Sequence, residues 1–354
     1  MKVLHFTHRF WPAKGGVEAV VENLCIELQK KGIQSDVLTL DTLDERKLKK
    51  FEKKGKIKIF RLPLLDLKYY KITPLPFEII KDYDIIHIHS MGFFSDAMLL
   101  FKPLHGKKIV FSTHGGIFHT KSIQSIKEFY FNSIEKQLLK RADGIIAVSK
   151  ADKEKFSKIV PKNKLTLIEN GFSAKEAGGK KEKNLFICVG RLSKNKNIER
   201  VVDVFSKLNT EYKLIIAGKD FDGLKKELTK KVSKLGLSDR IKIIGEVSEE
   251  ELHKIYSKAE YFVSASKYEG FGITAIEAMH YNCVTILNDI PTFRDFASHK
   301  RGYIIDFESE KATNQIEEIK KKNNTEVINK AKKYSTEFLW KNKISEFIAL
   351  YKKI

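Results

Sequence analysis

Short apolar runs alternate with amphipathic segments along most of this 354-residue chain. The runs have the length and composition of buried strands, whereas most segments between them repeat apolar residues at helical spacing. The predicted strands are residues 2–7, 34–40, 57–62, 84–89, 108–112, 144–148, 165–168, 185–189, 212–217, 241–244, 261–264, 284–287 and 303–305. This alternation predicts an α/β fold whose parallel sheets are covered by helices on both faces. In such open sheets, ligands bind beyond the carboxyl ends of the strands.

One stretch interrupts the alternation near the middle of the chain. Residues 172–184 lose apolar side chains and gain glycine and lysine, a composition typical of a linker. We therefore predict one doubly wound domain over residues 1–172, a linker over 173–184 and a second doubly wound domain over 185–335. Residues 336–354 predict a final helix, whose apolar stripe comprises Trp340, Ile344, Phe347 and Leu350.

Glu277 lies on the most apolar of the predicted helices. Residues 273–279 read Ile-Thr-Ala-Ile-Glu-Ala-Met, so this helix is apolar on nearly every face and we expect it to be buried. A buried carboxylate is costly unless it is paired or hydrogen-bonded. The vicinal hydroxyls of a ribose would satisfy it, as they do for acidic residues in dinucleotide sites. The alternative is an ion pair with a distant lysine or arginine.

A glycine-rich loop precedes that helix. Gly270 and Gly272 lack a Cβ, so the backbone amides around Phe271 can approach a ligand closely. These amides open a helix, whose N-terminus carries partial positive charge. Glu269 then lies at the mouth of a predicted nucleotide site. The plainer alternative is that the loop is only a tight turn.

A second loop carries basic residues at the corresponding place after another strand. Residues 190–197 read Gly-Arg-Leu-Ser-Lys-Asn-Lys-Asn and connect a predicted strand to a predicted helix. Arg191 and Lys196 are therefore expected where a diphosphate would meet a helix N-terminus. Lysine is far commoner than arginine in this chain, so Arg191 is the more informative of the two.

Histidines and glycines follow the strands of the first half. His87 and His89 project to one face of a strand, as a pair of metal ligands would. Because no third ligand follows at a recognised spacing, we expect no metal site. His114 lies in a Thr-His-Gly-Gly turn, whose glycines would let a substrate approach the backbone. The alternative is a turn histidine without a role.

The segment from Glu269 to Ala278 resembles the signature of a known family. Glu269-Gly-Phe-Gly-Ile-Thr-Ala-Ile-Glu277-Ala is similar to the E-x7-E motif of retaining glycosyltransferases of family four, the group 1 glycosyltransferases. The resemblance extends over nearly the whole chain. It implies the GT-B fold, in which two Rossmann-like domains face a cleft, the first binding the acceptor and the second the nucleotide sugar. It also implies that residues 336–354 return to the first domain.

The resemblance implies roles for the residues of the second domain. Glu277 would bind the ribose of the nucleotide, and Glu269 would lie against the donor sugar. Arg191 and Lys196 match the family's G-R-L...K motif. As charge develops on the leaving diphosphate, these two cations and the helix amides would stabilise it.

Residues of the first domain also receive roles from the resemblance. His114 would lie beside the donor sugar. The Gly15–Gly16 loop is similar to the family's N-terminal loop, which lies near the acceptor and the phosphates. The sequence from Asp84 to His89 looks like the family's usual fourth strand, a structural element.

Four positions depart from the family's usual pattern. Asp220 stands where a second glycine is common, and Asn282 likewise replaces a glycine. Ala265 and Val284 replace prolines. These departures bear on the nucleotide base and on local loop shape, not on the two glutamates or the basic loop.

The formal net charge of +21 predicts attraction to polyanions. We expect an anionic membrane surface as the partner, and no nucleic acid. Aromatic segments around Tyr69–Tyr70 and Phe118, with a basic amphipathic helix predicted over residues 122–141, favour the membrane. The alternatives are that the helical stripe is core and that the lysines are only a solvated surface.

The sequence also predicts a location. Residues 85–101 are too polar to span a membrane, and the N-terminus lacks the features of a signal peptide. We expect a cytoplasmic protein, peripheral at the inner face of the cell membrane. The widely spaced Cys25, Cys188 and Cys283 are flanked by apolar residues and are predicted to be core residues.

The sequence leaves three functions to compare. The first is transfer of a hexose, with retention, from a UDP- or GDP-sugar such as GDP-mannose to a glycan acceptor linked to polyprenyl diphosphate, with no metal or other cofactor. The second is a non-catalytic protein that binds nucleotide sugars or polyanions. The third, epimerisation or phosphorolysis on the same architecture, would lack the E-x7-E segment in this form. The sequence favours the first.

Overall fold

The computed structural model describes residues 1–13, 15–43, 46–66, 71–114, 131–175 and 178–354. Contacts among them divide the chain into two compact units. The first comprises Met1–Phe172 with Trp340–Ile354, and the second is Ser173–Leu339. Among these residues, no helix combines the length and the apolar character that crossing a membrane requires.

The first unit is built on a sheet of eight strands. Its strands, with two short antiparallel pairs beside the sheet, are β1 (Lys2–Phe6), β2 (Gln34–Leu40), β3 (Thr42–Leu43), β4 (Arg46–Lys47), β5 (Phe51–Lys54), β6 (Ile57–Leu62), β7 (Leu65–Asp66), β8 (Lys71–Ile72), β9 (Ile85–Ile88), β10 (Lys108–Ser112), β11 (Gly144–Ala147) and β12 (Leu165–Leu167). The sheet order is β12-β11-β10-β9-β1-β2-β6-β5, and β3–β4 and β7–β8 form the separate pairs. All sheet neighbours are parallel except β5 and β6.

Helices connect these strands. They are Gly16–Lys30, Phe77–Ile80, Phe93–Leu100, Lys102–His105, Lys136–Leu139 after a π-helical turn at Phe131–Glu135, Lys150–Phe156, a 3-10 turn at Lys162–Lys164, and the final helix Trp340–Lys353. Strand β1 lies between β2 and β9. The chain leaves β1 in one direction and later returns on its other side, so the topological switch point of this sheet is at β1 and β9.

The final helix belongs to the first unit. Its predicted stripe is buried, and it joins Val3 of the sheet and Val20 of the first helix in one apolar cluster. The amide of Trp340 donates to the carbonyl of Phe172 over 3.1 Å. A Cβ at Gly171 would lie 2.5 Å from the Trp340 ring, so glycine is required where the helix meets the end of the first unit.

The second unit is a six-stranded sheet in which every pair is parallel. Its strands are β13 (Glu182–Val189), β14 (Lys213–Ala217), β15 (Ile241–Gly245), β16 (Ala259–Ser264), β17 (Val284–Asn288) and β18 (Tyr303–Ile305), in the order β15-β14-β13-β16-β17-β18. Its helices are Ile198–Ser206, Lys225–Lys234, Glu249–Lys258, Ile273–His280, Pro291–Ala297, Ala312–Lys321 and Thr325–Thr336, with 3-10 turns at Lys194–Lys196 and Ser298–Lys300. The switch point here is at β13 and β16.

The predicted α/β class with parallel sheets is confirmed, and the differences are local. Strand β5 is an antiparallel edge strand that the apolar pattern missed. Strand β13 begins at Glu182, inside the predicted linker. There Lys181 donates from its ammonium to three backbone carbonyls of the second unit, including that of Tyr281 at 2.6 Å. These bonds explain why a lysine-rich stretch already belongs to the folded sheet.

Two sequence expectations remain partly outside the described residues. Of the helix predicted over 122–141, the described part is the π-helical turn and the helix Lys136–Leu139. The aromatic residues Tyr69, Tyr70 and Phe118 lie outside the described ranges. The three cysteines are buried and free, as predicted.

Candidate active site

Two loops of the second unit lie side by side at the switch point of its sheet. Residues 190–197 follow β13, and residues 265–272 follow the neighbouring strand β16. The side-chain amide of Asn195 donates to the carbonyl of Tyr268 over 2.9 Å. The amide of Lys267 donates to the carbonyl of Asn195, also over 2.9 Å. These bonds join the two segments that the sequence patterns had indicated independently.

Lys196 and Glu269 form an ion pair where these loops meet. Lys196 Nζ donates to Glu269 Oε1 over 2.5 Å, and the two side chains are only 16% and 11% exposed. An ammonium group has three donors. Among the described residues, Glu269 is its hydrogen-bond acceptor, so donors remain for an anion. The Thr292 hydroxyl donates to the Glu269 carbonyl over 2.9 Å and fixes that backbone.

Glycines allow the loop backbones to approach this closely. Gly218, at the end of β14, has a φ of +151°, and a Cβ there would lie 1.8 Å from the Gly190 carbonyl oxygen. Gly272, which precedes the helix Ile273–His280, has a φ of +81°. A Cβ at Gly272 would lie 3.0 Å from the ring of Phe293. Side chains at Gly218 and Gly272 would therefore displace the two loops.

The loop before the helix presents backbone rather than an aromatic ring. Phe271 is buried, and its ring packs edge-on against Phe296 with 5.6 Å between centroids. Gly270 beside it is half-buried. Of the residues predicted to bind the donor here, Phe271 therefore supplies its backbone to the loop and its ring to the core.

Glu277 is half-buried on the helix Ile273–His280. The Tyr256 hydroxyl donates to Glu277 Oε2 over 3.1 Å and lies 3.2 Å from the Thr274 carbonyl. Burial raises the pKa of Glu277 to about 7, and the hydrogen bond from Tyr256 acts in the opposite direction. Within the described ranges no lysine or arginine pairs with this carboxylate. The structure therefore does not show the ion pair that was the alternative to a ligand.

Arg191 is exposed at the start of the basic loop. Its guanidinium lies over the Phe221 ring, 4.6 Å from the centroid. Phe221 is held there because its amide donates to the Leu192 carbonyl over 3.1 Å. Asp220, one of the departures from the family pattern, accepts from the amide of Leu224 over 2.8 Å. Its other carboxylate oxygen accepts from the amide of Lys225 over 3.3 Å, so Asp220 holds the start of the helix Lys225–Lys234.

Asn282, at a position where the family usually has glycine, adopts a backbone conformation that suits glycine. Its φ is +61°, in the left-handed region that asparagine tolerates better than most residues. Its amide donates to the Met279 carbonyl over 3.1 Å. The amide of Cys283 donates to the Ala278 carbonyl over 2.9 Å. This is a Schellman ending of the helix, so the departure leaves the helix end intact.

Four histidines cluster at the switch point of the first unit. His89 Nδ1 lies 3.0 Å from His114 Nε2, and His89 Nε2 lies 3.0 Å from His5 Nδ1. The other ring nitrogen of His5 lies 3.0 Å from the Ser35 hydroxyl. His87 packs against His89 with 4.0 Å between ring centroids. The structure thus brings His114 to a buried polar network on the strands.

The cluster changes the argument about metals. The sequence offered no third ligand for His87 and His89, but His5 comes from another strand to within 4.8 Å of both. Spacing along the chain therefore could not reveal His5 as a neighbour of His87 and His89. His87 is hydrogen-bonded at both ring nitrogens, to Tyr351 over 2.6 Å and to Ser112 over 2.8 Å. All six nitrogens of the three rings have protein partners, which a metal would have to displace.

The N-terminal glycines mark the start of the first helix. Gly15 is extended, with a φ of −174°, and Gly16 is the first residue of the helix Gly16–Lys30. Gly115 and Gly116, which follow His114, lie outside the described residues. Gly15, Gly16 and His114 belong to the first unit, whereas the two glutamates and the basic loop belong to the second.

Sequence reasoning missed the residues that support these side chains. They are Asn195, Tyr256, Thr292 and His5. Asn195 lies in a loop already singled out, so its position was a usable signal. Tyr256 lies on a separate helix and His5 inside a strand, and their partners are fixed only by tertiary packing.

Comparisons with known proteins match this chain over most of its length. The family model described as Glycosyl transferases group 1 matches residues 171–338, and that of Glycosyltransferase Family 4 matches residues 14–176. A GDP-mannose:cellobiosyl-diphosphopolyprenol alpha-mannosyltransferase from Xanthomonas campestris is 33% identical over 316 residues, covering 86% of this chain and 83% of the relative. A protein of the same name from Komagataeibacter xylinus is 32% identical and covers 83% and 77%.

Solved structures show the same architecture. A sucrose-phosphate synthase from Thermosynechococcus elongatus aligns with a TM-score of 0.77 at 19% identity, covering 99% of this chain and 98% of that one. The fold and these matches define a glycosyltransferase with the GT-B fold. The chain belongs to Glycosyltransferase Family 4, the group 1 glycosyltransferases. This membership decides for an enzyme and against a non-catalytic binding protein.

Proposed function

We propose that this enzyme transfers a hexose from a nucleotide-diphosphate sugar to a lipid-linked glycan with retention of configuration, and that its donor is GDP-mannose. The relatives named above support the donor, since their names specify GDP-mannose. They also support retention: the mannose of GDP-mannose is α-linked, and the named relatives are alpha-mannosyltransferases. Their acceptor, a cellobiosyl-diphosphopolyprenol, supports a glycan on polyprenyl diphosphate as the acceptor here.

The ion pair between Lys196 and Glu269 is the observation on which this proposal rests. It places a cation and a carboxylate 2.5 Å apart at the carboxyl ends of β13 and β16, where an open sheet binds its ligand. A nucleotide sugar needs both charges at this point. Its diphosphate is anionic, whereas its anomeric carbon gains positive charge as the bond to the diphosphate breaks.

Each side chain then has a defined task. The Lys196 ammonium and the Arg191 guanidinium stabilise the negative charge that develops on the leaving diphosphate. The amides before the helix Ile273–His280 add partial positive charge. Glu269 faces the sugar ring. Glu277, with Tyr256 on one oxygen, accepts from the ribose hydroxyls with the other.

An apolar pocket in the first unit is evidence that the acceptor has a lipid part. Its volume is about 500 Å³. Its lining comes from the β7–β8 strand pair, the helix Phe93–Leu100 and the residue after this helix, and it includes Leu65, Ile72, Phe93 and Phe101. Leu65 and Phe101 are exposed although apolar. Transfer to a polyprenyl-diphosphate-linked cellobiose, but not to free cellobiose, is the expected result of an acceptor assay.

Two alanine variants test the assigned roles. Glu277→Ala removes a charge-assisted hydrogen bond worth about 1.5 to 3 kcal/mol, so the affinity for GDP should fall roughly ten- to a hundredfold. Glu269→Ala should lower turnover while GDP binds as it does to the wild type, because the sugar and not the nucleotide loses its partner. Calorimetry with GDP and UDP, together with turnover of GDP-mannose, measures both effects.

The reverse pattern would contradict the assignment. If folded Glu277→Ala binds GDP normally while Glu269→Ala does not, the ribose and sugar contacts are interchanged. If labelled UDP-sugars are consumed and GDP-mannose is not, the donor is wrong but the assignment of the glutamates stands. Binding without transfer or hydrolysis of any nucleotide sugar would refute the reaction itself.

A further inference from the structure

A continuous row of hydrogen-bonded side chains crosses the central strands of the first sheet. It begins at Ser35 on β2, passes through His5 on β1 and His89 after β9, and ends at His114 after β10. The successive separations, Ser35 Oγ to His5, His5 to His89 and His89 to His114, are each 3.0 Å. His5 and His89 are buried, so the row lies inside the protein until it reaches His114.

The two inner imidazoles are neutral. Burial lowers the pKa of His5 to about 3 and holds that of His89 well below its ordinary value. A neutral imidazole has one N–H donor and one acceptor nitrogen. Every bond in the row must therefore point the same way. The row has two states, one in which each ring donates toward His114 and one in which each ring donates toward Ser35.

We propose that His5 and His89 are positioning residues, which fix the tautomer and the orientation of the His114 ring for the transfer reaction. This inference rests on the proposed function and on the role beside the donor sugar that the family resemblance implies for His114. If the row points outward, His114 receives a proton donor at Nε2 and carries its own hydrogen on Nδ1. If it points inward, His114 donates from Nε2 and offers the Nδ1 lone pair. A ring without the row would exchange between the two tautomers.

The backbone at His114 gives a second reason for an external support. His114 has a φ of +38°, in a region that residues with a Cβ rarely adopt. Such a conformation persists when its surroundings hold it, and it is concentrated at functional sites. The bond to His89 is one such restraint. The rigid sheet therefore sets the ring of a residue that itself lies in a turn.

His87 provides a matched control inside the same cluster. It is buried like His5, and its ring lies 5.2 Å from that of His5 and 4.0 Å from that of His89. Its nitrogens bind Tyr351 and Ser112 and take no part in the row. Replacing His87 by leucine changes volume and polarity as much as replacing His5, but it leaves the row intact.

The experiment combines NMR and kinetics on the full chain. Selective ¹⁵N labelling of histidine reports the tautomer of each ring, assigned with a His114→Ala variant. In the wild type we expect a single tautomer of His114.

In His5→Leu, whose side chain does not touch His114, we expect both tautomers of His114. The kcat should fall about ten- to a hundredfold, as it does when a residue that orients a functional histidine is removed. The KM for GDP-mannose should stay unchanged. His5→Asn keeps a polar atom toward His89 and should recover most of the turnover.

Control variants separate positioning from folding. His87→Leu should lose stability but keep the His114 tautomer and the wild-type kcat. Ser35→Ala, a smaller change than His5→Leu, should alter the tautomer if His5→Leu does not fold. Equal mixtures of tautomers in the wild type, an unchanged His114 in both Ser35→Ala and His5→Leu, or a tautomer that changes on treatment with EDTA would each overturn the proposal.

The failure of the proposed function is recognised separately. If His114→Ala turns over GDP-mannose like the wild type, His114 has no part in transfer and the positioning role falls with it. If His114→Ala is impaired but the His114 ring keeps one tautomer in His5→Leu, the role of His114 stands and only the row is refuted.

Discussion

At the level of single residues, Glu277 is held where its charge is disfavoured. Burial raises the pKa of its carboxyl group from 4.5, the value of an ordinary glutamate, to about 7, because burial outweighs the hydrogen bond from Tyr256. Between these values the folded state binds more protons than the unfolded state. The free energy of unfolding contributed by this group therefore falls as the pH rises from 4.5 to 7. A ligand that hydrogen-bonds to the carboxylate would offset that cost.

Glu277→Gln should therefore stabilise the ligand-free enzyme above pH 7 and not below pH 4.5. The glutamine cannot ionise, so the variant escapes the loss that the wild type undergoes across this window. Urea denaturation of both proteins at several pH values between 4.5 and 8 measures the difference. Tyr256→Phe removes a hydrogen bond that lowers the pKa of Glu277. In this variant the free energy of unfolding should therefore continue to fall to a higher pH than in the wild type. A difference between Glu277→Gln and wild type that is constant with pH would contradict this account.

Turnover should survive chelation. All ring nitrogens of His5, His87 and His89 have hydrogen-bond partners in the protein. In the proposed reaction, Lys196 and Arg191 supply the positive charge for the diphosphate. Incubation with EDTA, followed by an assay with GDP-mannose, should leave the rate unchanged. Activity that disappears with EDTA and returns with Mg²⁺ or Mn²⁺ would show that a metal provides the countercharge instead.

Residues of the site differed in how far the sequence could predict them. Glu269 and Glu277 stood out because their motif is specific and because a carboxylate on an apolar helix needs a partner. Lys196 was harder to distinguish, since lysines are common in this chain, and only its distance to Glu269 sets it apart. Tyr256 and His5 gave no signal, because their partners lie far away in sequence.

At the level of elements, the glycine after β14, Gly218, lets the basic loop of residues 190–197 pack closely against the end of this strand. Gly218→Ala would place a Cβ 1.8 Å from the Gly190 carbonyl oxygen, at a φ of +151°. We expect a loss of about 2 to 5 kcal/mol in the free energy of unfolding, together with weaker binding of GDP, because the loop that carries Arg191 must move. Urea denaturation and calorimetry measure the two effects.

Gly236→Ala is the matched control for that variant. Gly236 also has a positive φ, +68°, but a Cβ there would have no neighbour within 4 Å. The free energy of unfolding of Gly236→Ala should fall by only about 1 to 2 kcal/mol, the cost of a left-handed backbone for a residue with a Cβ. The variant should bind GDP normally. Equal effects of the two substitutions would show that backbone conformation, and not the contact with Gly190, accounts for the loss.

Elements were predicted where their burial follows from the chain itself. Most of the parallel strands read as short apolar runs, so β2, β6, β10 and β18 were predicted with the bounds that the structure has. The edge strand β5 reads Phe-Glu-Lys-Lys and has one neighbour, β6, so its sequence resembles a loop. Its pairing depends on β6, which no local pattern reveals.

At the level of the whole molecule, the net charge of +21 has no counterpart in the proposed reaction, which needs few cations. Each lysine or arginine near an acidic membrane contributes about 1 kcal/mol to binding at low salt. A lipid-linked acceptor would also require the enzyme to work at a membrane. The charge and the acceptor together support peripheral binding to an anionic surface.

We therefore predict salt-sensitive binding to anionic vesicles. Sedimentation with vesicles of phosphatidylglycerol and phosphatidylcholine should exceed that with phosphatidylcholine alone, and the excess should vanish at high salt, because screening shortens the reach of surface charge. Equal sedimentation with both kinds of vesicle would refute the electrostatic contribution.

Two triple substitutions to glutamine, which remove the same charge, test which unit faces the membrane. They are Lys153, Lys158 and Lys162 in the first unit, and Lys226, Lys230 and Lys234 in the second, all of them exposed. Because the apolar pocket and the exposed Leu65 and Phe101 belong to the first unit, the first triple should weaken vesicle binding more. Equal losses would mean that net charge alone governs binding. A larger loss from the second triple would place the membrane contact on the second unit and contradict the proposal that the first unit binds the lipid-linked acceptor.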